Sequence, residues 1–196
     1  MRSDNTKKIP TLFERTYENH KVKSITDKIT PGMEEVLERG IATVKWDGSC
    51  CAVMCGDLYK RYDAKNGKKP PEGAIPCCDP DPITGHWPHW IKVDESQPDS
   101  KWHLEAWRRI GGDLEDGTYE IIGPHFQGNP YGLDVDFFMR HGDVIILNLE
   151  RSFDGIRSYL EREKIEGIVF WLDGEPKCKI KRSDFGFEWP VEKKVE

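Results

Sequence analysis

The sequence predicts an α+β fold in which strands dominate. Three apolar runs have the length and composition of buried strands, at 117–122, 143–149 and 167–172. Helical periodicity or capping signals mark three other segments, at 31–40, 99–110 and 153–163. These helices do not alternate regularly with the strands, as they would in a sheet built from βαβ units. The order of elements therefore favours the α+β class over an alternating α/β chain.

The N-terminal region is expected to contain a strand followed by a helix. Alternation within 11–26 indicates one short strand. In the next segment, Thr30 is suited to cap a helix, Pro31 to occupy its first turn and Gly40 to end it. That helix would lead directly into the strand that ends at Lys45.

A predicted hairpin and a long surface loop follow. The hairpin joins strands at 50–54 and 58–63. The segment 65–90 is rich in glycine and proline, which indicates a long surface loop. A last strand is expected at 177–182. We expect one domain over 11–190, with short tails at 1–10 and 191–196.

Composition indicates a globular protein of a reducing compartment. The 196 residues include 7 Trp, 8 Phe and 6 Tyr, enough large side chains for a full core. There is no signal peptide and no apolar run of membrane-spanning length, so we expect a cytoplasmic protein without a membrane partner. Adjacent cysteine pairs are poor disulfide frameworks. The net charge of −6 argues against coating of nucleic acid by bulk electrostatics but allows a local basic site.

The segment Lys45-Trp46-Asp47-Gly48 is the first candidate site. Apolar residues on both sides predict a strand that ends at the lysine, followed by an Asp-Gly turn. A protonated amine is a poor nucleophile, so an enzyme that uses a lysine must bury it, surround it with cations or steer it with a metal. The alternative is an ordinary strand and turn whose lysine extends to solvent.

Four further features suit phosphate chemistry. Arg61 has a planar guanidinium that can donate paired hydrogen bonds to a phosphate or ribose. Glu120 and Glu166 are single acidic residues within or beside apolar strands. Alternation places the amines of Lys179 and Lys181 on one face of a strand. Each feature has an ordinary alternative, because strand-edge glutamates are usually solvated and alternating lysines often form the wet face of a sheet. Together they are harder to explain in that way.

Five motifs follow one another along the chain: Lys45-x-Asp47-Gly48, Arg61, Glu120, Glu166-Gly167 and Lys179-x-Lys181. In this order they resemble the motifs of the covalent nucleotidyltransferases, which are the ATP-dependent DNA and RNA ligases and the mRNA capping enzymes. A finer resemblance is to the vertebrate ATP-dependent 5′-to-3′ RNA ligase family. It rests on Lys-Trp-Asp-Gly-Ser-Cys-Cys from 45, Gly-Asn-Pro-Tyr-Gly-Leu from 128, His-Gly from 141 and Lys-Ile-Glu-Gly-Ile-Val from 164. The similarity spans roughly 41–190.

The resemblance implies an adenylyltransferase (ATP-grasp-like) fold, in which two antiparallel sheets flanked by helices enclose a nucleotide pocket. It also implies three steps: Lys45 takes AMP from ATP, the AMP passes to an RNA 5′-phosphate, and a 3′-hydroxyl displaces it. The partners would be ATP and RNA with such ends, and the cofactor Mg²⁺ or Mn²⁺. We expect a monomer without an OB-type domain, because only 182–196 follows Lys181.

The resemblance further implies residue roles. Lys45 would be the nucleophile, Lys179 and Lys181 would stabilise the transition state, and Glu166 would place the metal, directly or through water. Glu120 would hold ribose hydroxyls and, more weakly, the metal. The predicted nucleotide-binding residues are Thr43, Val44, Lys45, Asp47, Gly48, Arg61, Glu120, Ile146, Val169, Lys179 and Lys181. The predicted RNA-binding residues are Arg61, Lys65 and Asn129.

Some assignments remain open at this point. Asp47 is expected to order the loop around Lys45 rather than to take part in chemistry. Many ligases stack adenine on an aromatic residue, whereas the corresponding strand here offers Val144 and Ile146, so the stacking residue is undecided. His125 and His141 are expected to be hydrogen-bonded structural residues.

Other functions are also open. The chain could be a DNA ligase or a capping enzyme, or a nucleotide- or RNA-end-binding module that only AMPylates itself. The Gly-Asn-Pro-Tyr-Gly string favours an RNA ligase, and the complete set of charged residues argues against a binding module. Zinc binding by Cys77, Cys78, His86 and His89 is disfavoured, because adjacent cysteines are unusual ligand spacing.

Overall fold

The structure, a computed structural model, describes residues 8–19, 21–64, 68–82 and 84–191. The chain forms two compact units. The central unit holds 48–141, and the terminal unit holds 8–47 together with the residues from 142 onward. Within the described part of the chain, no helix has the length and apolar character that crossing a bilayer requires.

Strands outnumber helices in both units. The strands are β1 (Phe13–Glu18), β2 (Lys21–Ile29), β3 (Ile41–Lys45), β4 (Ser49–Met54), β5 (Asp57–Ala64), β6 (Ile75–Pro76), β7 (Trp87–Lys92), β8 (Gly117–Ile122), β9 (Phe137–Arg140), β10 (Gly167–Leu172) and β11 (Glu175–Lys181). The α-helices are α1 (Glu34–Arg39), α2 (Lys101–Arg109) and α3 (Phe153–Arg162). These strands pair antiparallel throughout. The α+β prediction is therefore confirmed.

The terminal unit contains a three-stranded sheet of order β11-β10-β3 and the separate hairpin β1-β2. Apolar residues of β10 and β11 form its core with Ile156 and Leu160 of α3. Cys178 and Ile180 of β11 are fully buried in this core. Because successive residues of a strand point to opposite faces, Lys179 and Lys181 lie on the other face, as the alternation predicts.

The central unit is built on a six-stranded sheet of order β6-β7-β5-β4-β8-β9. Helix α2 packs on this sheet through Ala106, in a buried cluster that includes Val53 of β4 and Ile121 of β8. The β4–β5 hairpin turns at Cys55 and Gly56, which both have positive φ. Positive φ at both central residues matches the twist of the flanking strands, and the predicted hairpin is confirmed.

The N-terminal prediction is wrong in two details. The segment 11–26 belongs to two strands, β1 and β2, rather than to one. Helix α1 begins after Met33, and Thr30 does not cap it: the Thr30 hydroxyl donates instead to the carbonyl of Thr11. That bond ties the end of β2 to the start of β1. Gly40 ends the helix as expected.

Three further differences concern the sheets. Although 143–149 is fully described, it is not a strand: it makes one bridge to β3, between Thr43 and Ile145, and the place beside β8 is taken by β9. The expected loop at 65–90 contains β6 and the start of β7, whose His89 and Trp90 are buried. The described residues form three sheets rather than two.

Truncation of Ile168 should destabilise the terminal unit. Its side chain is fully buried on β10, so Ile168→Ala removes apolar contacts and leaves a cavity, which costs about 2–5 kcal/mol of unfolding free energy. The matched control is Ile145→Ala, whose side chain is 51% exposed and whose loss should change the free energy by less than about 0.5 kcal/mol. Urea unfolding followed by circular dichroism measures both. Equal effects would contradict the assignment of Ile168 to the core.

Candidate active site

The strand that carries Lys45 is fixed by pairing with β10. Lys45 faces Gly167 and Thr43 faces Val169 across the two strands. The buried hydroxyl of Thr43 donates to the Val169 carbonyl at 3.3 Å and accepts from Trp171 Nε1 at 2.9 Å. These bonds hold β3 in register beside β10, and the register decides where Lys45 lies.

Two lysines share one carboxylate. Glu166 immediately precedes Gly167, and Gly167 pairs with Lys45 on one side and with Lys181 on the other. Glu166 Oε2 accepts a hydrogen bond from Lys45 Nζ, and Oε1 lies 2.7 Å from Lys181 Nζ. The Glu166 side chain is only 9% exposed. Both amines are thus held beside a carboxylate that has lost most of its hydration.

Lys179 completes what we call the lysine cluster: Lys45, Glu166, Lys179 and Lys181. It lies opposite Val169, two residues before Lys181 on the same face of β11. Burial, followed by the positive charges of Lys45, Lys181 and Arg15, lowers the pKa of Lys179 to about 8. An anion bound here would oppose these effects, because it would favour the charged amine.

An ion pair next to the lysine cluster could not be inferred from the sequence. Arg15 Nη2, on β1, lies 2.7 Å from Asp184 Oδ1, and the backbone N–H of Lys181 donates to Asp184 Oδ2 at 2.8 Å. The Nε atom of Arg15 is buried and has no hydrogen-bond partner among the described residues. Arg15 and Asp184 are 169 positions apart, so no local pattern connects them.

Asp47 is held by a tryptophan from the end of the described chain. Trp189 Nε1 donates to Asp47 Oδ2 at 2.7 Å. This bond anchors the turn that follows Lys45, which is the kind of ordering that the sequence led us to expect of Asp47. The sequence offered no signal for Trp189.

Two motif glycines are required by close packing. A Cβ atom on Gly167 would lie 2.3 Å from the carbonyl oxygen of Ile180, and one on Gly48 would lie 2.2 Å from that of Ile121. Both distances are far shorter than a real contact, and both neighbours are backbone atoms that cannot move aside. Any other residue at 48 or 167 would therefore push apart the strands that position the charged side chains.

In the central unit, Glu120 accepts two hydrogen bonds. The backbone N–H of Gly48 donates to Oε1 at 3.1 Å, and Oε2 lies 3.1 Å from Nε2 of His141. The other ring nitrogen of His141 lies 3.0 Å from the Thr118 hydroxyl. His141 is thus a hydrogen-bonded residue, as expected, and it orients the carboxylate for which the family resemblance implies contact with ribose. No local pattern in the sequence pairs Glu120 with His141, which lies 21 positions away.

Arg61 is already partnered within the central unit. Its Nε lies 2.9 Å from Asp63 Oδ1, and its guanidinium also hydrogen-bonds the Cys50 side chain. Asp63 has a second partner, since its Oδ2 lies 3.3 Å from Nε2 of His86. A phosphate or ribose that binds Arg61 would have to accept hydrogen bonds from the remaining N–H groups of its guanidinium.

Among the remaining predicted site residues, Asn129, Ile146 and Val44 make contacts within their own units. Asn129 has positive φ and closes a turn: its amide donates to the Leu133 carbonyl and its Oδ1 accepts from the Leu133 N–H, both at 2.9 Å. Ile146 is buried against β3, and the Val44 N–H donates to the Val144 carbonyl. Lys65 lies outside the described residues. Contact of any of these residues with nucleotide or RNA stays a prediction.

The lysine cluster is suited to bind a polyphosphate. It carries three amines and one carboxylate, so its formal charge is positive in a chain whose net charge is negative. Glu166 is the cluster's one carboxylate, and Mg²⁺ in nucleotide enzymes is commonly held by one or two carboxylates together with phosphate oxygens. Because lysines engage both oxygens of Glu166, the donor set fits Mg²⁺ only when phosphate or water supplies the other ligands.

Comparison with known proteins finds similarity to RNA ligases. A family model described as RNA ligase 1 matches residues 110–195. RNA ligase 1 of Danio rerio is 30% identical over 139 residues, which is 55% of this chain and 43% of the relative. RNA ligase 1 of Pongo abelii is 24% identical over 250 positions, which is 91% of this chain and 77% of the relative.

A rodent relative has a similar level of identity. RNA ligase 1 of Rattus norvegicus is 27% identical over 169 residues, which is 70% of this chain and 49% of the relative. The chain therefore spans less than half the length of the fish and rat relatives that it matches.

The charge coupling within the lysine cluster can be measured directly. Lys179 should titrate near pH 8 in the native protein. Lys45→Met removes a neighbouring positive charge and should raise the pKa of Lys179, whereas Glu166→Gln removes a negative charge and should lower it. Titration of lysine ¹³Cε resonances, with the Lys179 signal identified by its loss in Lys179→Arg, gives the three values.

The matched control for this titration is Lys177→Met. Lys177 belongs to the same strand and pairs with Glu175 outside the lysine cluster, so its loss should leave the Lys179 titration unchanged. A midpoint near the ordinary lysine value of about 10.4 in the native protein would contradict the described packing around Lys179.

Proposed function

Because the chain is a relative of the RNA ligase 1 proteins, as its motifs predict, we propose that it is an ATP-dependent RNA ligase. In this proposal Lys45 carries AMP as a covalent intermediate and the protein joins an RNA 5′-phosphate to a 3′-hydroxyl. The observation that carries the proposal is the lysine cluster. The amines of Lys45, Lys179 and Lys181 lie beside the buried carboxylate of Glu166, and these are the residues that the nucleotidyltransferase motifs identify.

The first step follows from the position of Lys45. Its neutral amine attacks the α-phosphorus of ATP, an N–P bond forms, the bond to the bridging oxygen breaks and pyrophosphate leaves. The proton lost from Nζ goes to solvent or to the leaving group. Glu166, which accepts a hydrogen bond from Nζ, holds the nitrogen in one orientation during this attack.

Lys179 and Lys181 supply positive charge to the same step. In-line transfer at phosphorus requires little acid or base catalysis and mostly neutralisation of the charge on the phosphoryl oxygens. Mg²⁺ or Mn²⁺ held by Glu166 and phosphate would add to this neutralisation. Because burial lowers the pKa of Lys179 to about 8, its charge is available near neutral pH and is lost as pH rises above that value.

The later steps reuse the AMP. The RNA 5′-phosphate displaces Lys45 from phosphorus, and a 3′-hydroxyl then displaces AMP to form the phosphodiester bond. We propose that Glu120 binds ribose hydroxyls, with its orientation set by His141 and Gly48, and that Arg61, Lys65 and Asn129 contact RNA. We also propose that the protein acts as a monomer, and its free cysteines fit a reducing compartment such as the cytoplasm.

End-joining with two RNA substrates tests the proposal. With ATP and Mg²⁺, the native protein should join 5′-phosphorylated RNA, and Lys45→Arg should not, because its guanidinium is a poor nucleophile that still pairs with Glu166. When the RNA already carries 5′-AMP, Lys45→Arg should join it, since the third step does not use the lysine. Lys179→Ala should slow AMP transfer from ATP by about two to three orders of magnitude.

One variant serves as a control for these joining assays, and three results would contradict different parts of the proposal. Lys177→Arg changes a lysine of β11 outside the lysine cluster and should keep native rates. ATP-dependent joining by Lys45→Arg would remove Lys45 as the nucleophile. Self-AMPylation of the native protein without joining would favour the binding-module alternative, and joining of DNA in preference to RNA would favour a DNA ligase.

A further inference from the structure

Three potential metal ligands meet in the central unit. A ligand atom from each of Cys50, Glu120 and His141 lies within 4.8 Å of the other two. Cys50 and Glu120 are direct partners on β4 and β8, so their side chains point to the same face of the sheet. His141 follows β9, the next strand of the same sheet. This set is separate from Cys77, Cys78, His86 and His89, whose adjacent cysteines disfavour zinc binding.

Neighbouring groups orient these ligands as in known metal sites. Gly48 N–H holds one oxygen of Glu120, which leaves Oε2 directed toward His141. The Nδ1 atom of His141 lies 3.0 Å from the Thr118 hydroxyl. Without a metal, Nε2 carries the proton that it donates to Glu120 Oε2; with a metal on Nε2, the ring proton would lie on Nδ1 and be donated to the Thr118 hydroxyl. Hydrogen bonds of this kind to the non-ligating atoms fix the tautomer and orientation of metal-binding side chains.

The donor set and its spacing fit zinc. Zinc binds thiolate at about 2.3 Å and imidazole or carboxylate at about 2.0–2.2 Å, which places tetrahedral ligand atoms roughly 3.3–3.7 Å apart. The distance from Glu120 Oε2 to His141 Nε2 is 3.1 Å, and no two of the three ligand atoms are more than 4.8 Å apart. A thiolate disfavours Mg²⁺ and Ca²⁺, which prefer oxygen. Three protein ligands, each partly exposed, leave a fourth position for water.

We propose that Cys50, Glu120 and His141 bind one zinc ion and that bound zinc stops AMP transfer. On binding, the Cys50 sulfur exchanges its proton for the metal and the proton goes to solvent. The metal would take Oε2 of Glu120 while Gly48 N–H holds Oε1, so that both oxygens are engaged and compete poorly for ribose hydroxyls. The regulatory part of the proposal rests on the proposed function, in which Glu120 binds ribose, whereas the metal-binding part does not.

Cobalt(II) titration tests the metal site independently of activity. Cobalt substitutes for zinc and gives a thiolate-to-metal charge-transfer band only when cysteine is a ligand. The native protein should show this band, saturating at one equivalent, and zinc should abolish it. Cys50→Ser should lose the band, and His141→Gln should weaken binding at least about 10-fold.

The matched control for the titration is Cys55→Ser. Cys55 is the exposed cysteine in the turn after β4, so its loss should leave the band unchanged. Circular dichroism checks that each variant is folded, and His141→Gln decides the outcome if Cys50→Ser does not fold. A full-strength band in Cys50→Ser, or native affinity in His141→Gln, would overturn the site.

Inhibition of AMP transfer tests the regulatory part. With MgATP in excess, zinc should inhibit AMP transfer by the native protein and by Cys55→Ser, and a chelator should restore it. Cys50→Ser should transfer AMP with or without zinc. Normal cobalt binding combined with zinc-insensitive AMP transfer would overturn the inhibition alone. Absence of AMP transfer in the native protein would instead contradict the proposed function, and the cobalt titration would still decide whether the metal binds.

Discussion

The buried carboxylate of Glu166 is the interaction on which the lysine cluster depends. A carboxylate that is 9% exposed loses most of its hydration and must be compensated by nearby cations, and here Lys45 and Lys181 provide them. Sheet geometry makes this possible, because Gly167 pairs with both lysines at once and leaves no room for a side chain of its own. Replacing any one of these four residues changes the environment of the other three.

The lysine cluster keeps an excess of positive charge. The single carboxylate of Glu166 only partly balances the charges of Lys45 and Lys181. Lys179 lies beside these two amines, and burial and their positive charges lower its pKa. Phosphate binding would relieve that repulsion, since a phosphate oxygen can accept a charge-assisted hydrogen bond from Lys179 Nζ. The same positive charge disfavours a metal ion that arrives without an accompanying anion.

Residues close in sequence were predictable, and distant partners were not. The end of β3 at Lys45, the β4–β5 hairpin and the shared face of Lys179 and Lys181 follow from local patterns. The segment 143–149 was predicted as a buried strand from its apolar run, but composition does not decide tertiary contact: Ile146 is buried, whereas Val144, Ile145 and Leu147 are exposed. The pairs Arg15–Asp184, Asp47–Trp189 and Glu120–His141 arise from tertiary contact, which leaves no periodic signal.

Intact mass of the purified protein before and after incubation with ATP and Mg²⁺, followed by a peptide map, shows whether Lys45 forms a covalent bond to AMP. We expect a gain of one AMP, roughly 329 Da, on the peptide that contains Lys45, and loss of that gain in acid, because a phosphoramidate bond is acid-labile. An adduct on another residue, or none under conditions in which ATP binds, would contradict covalent catalysis by Lys45.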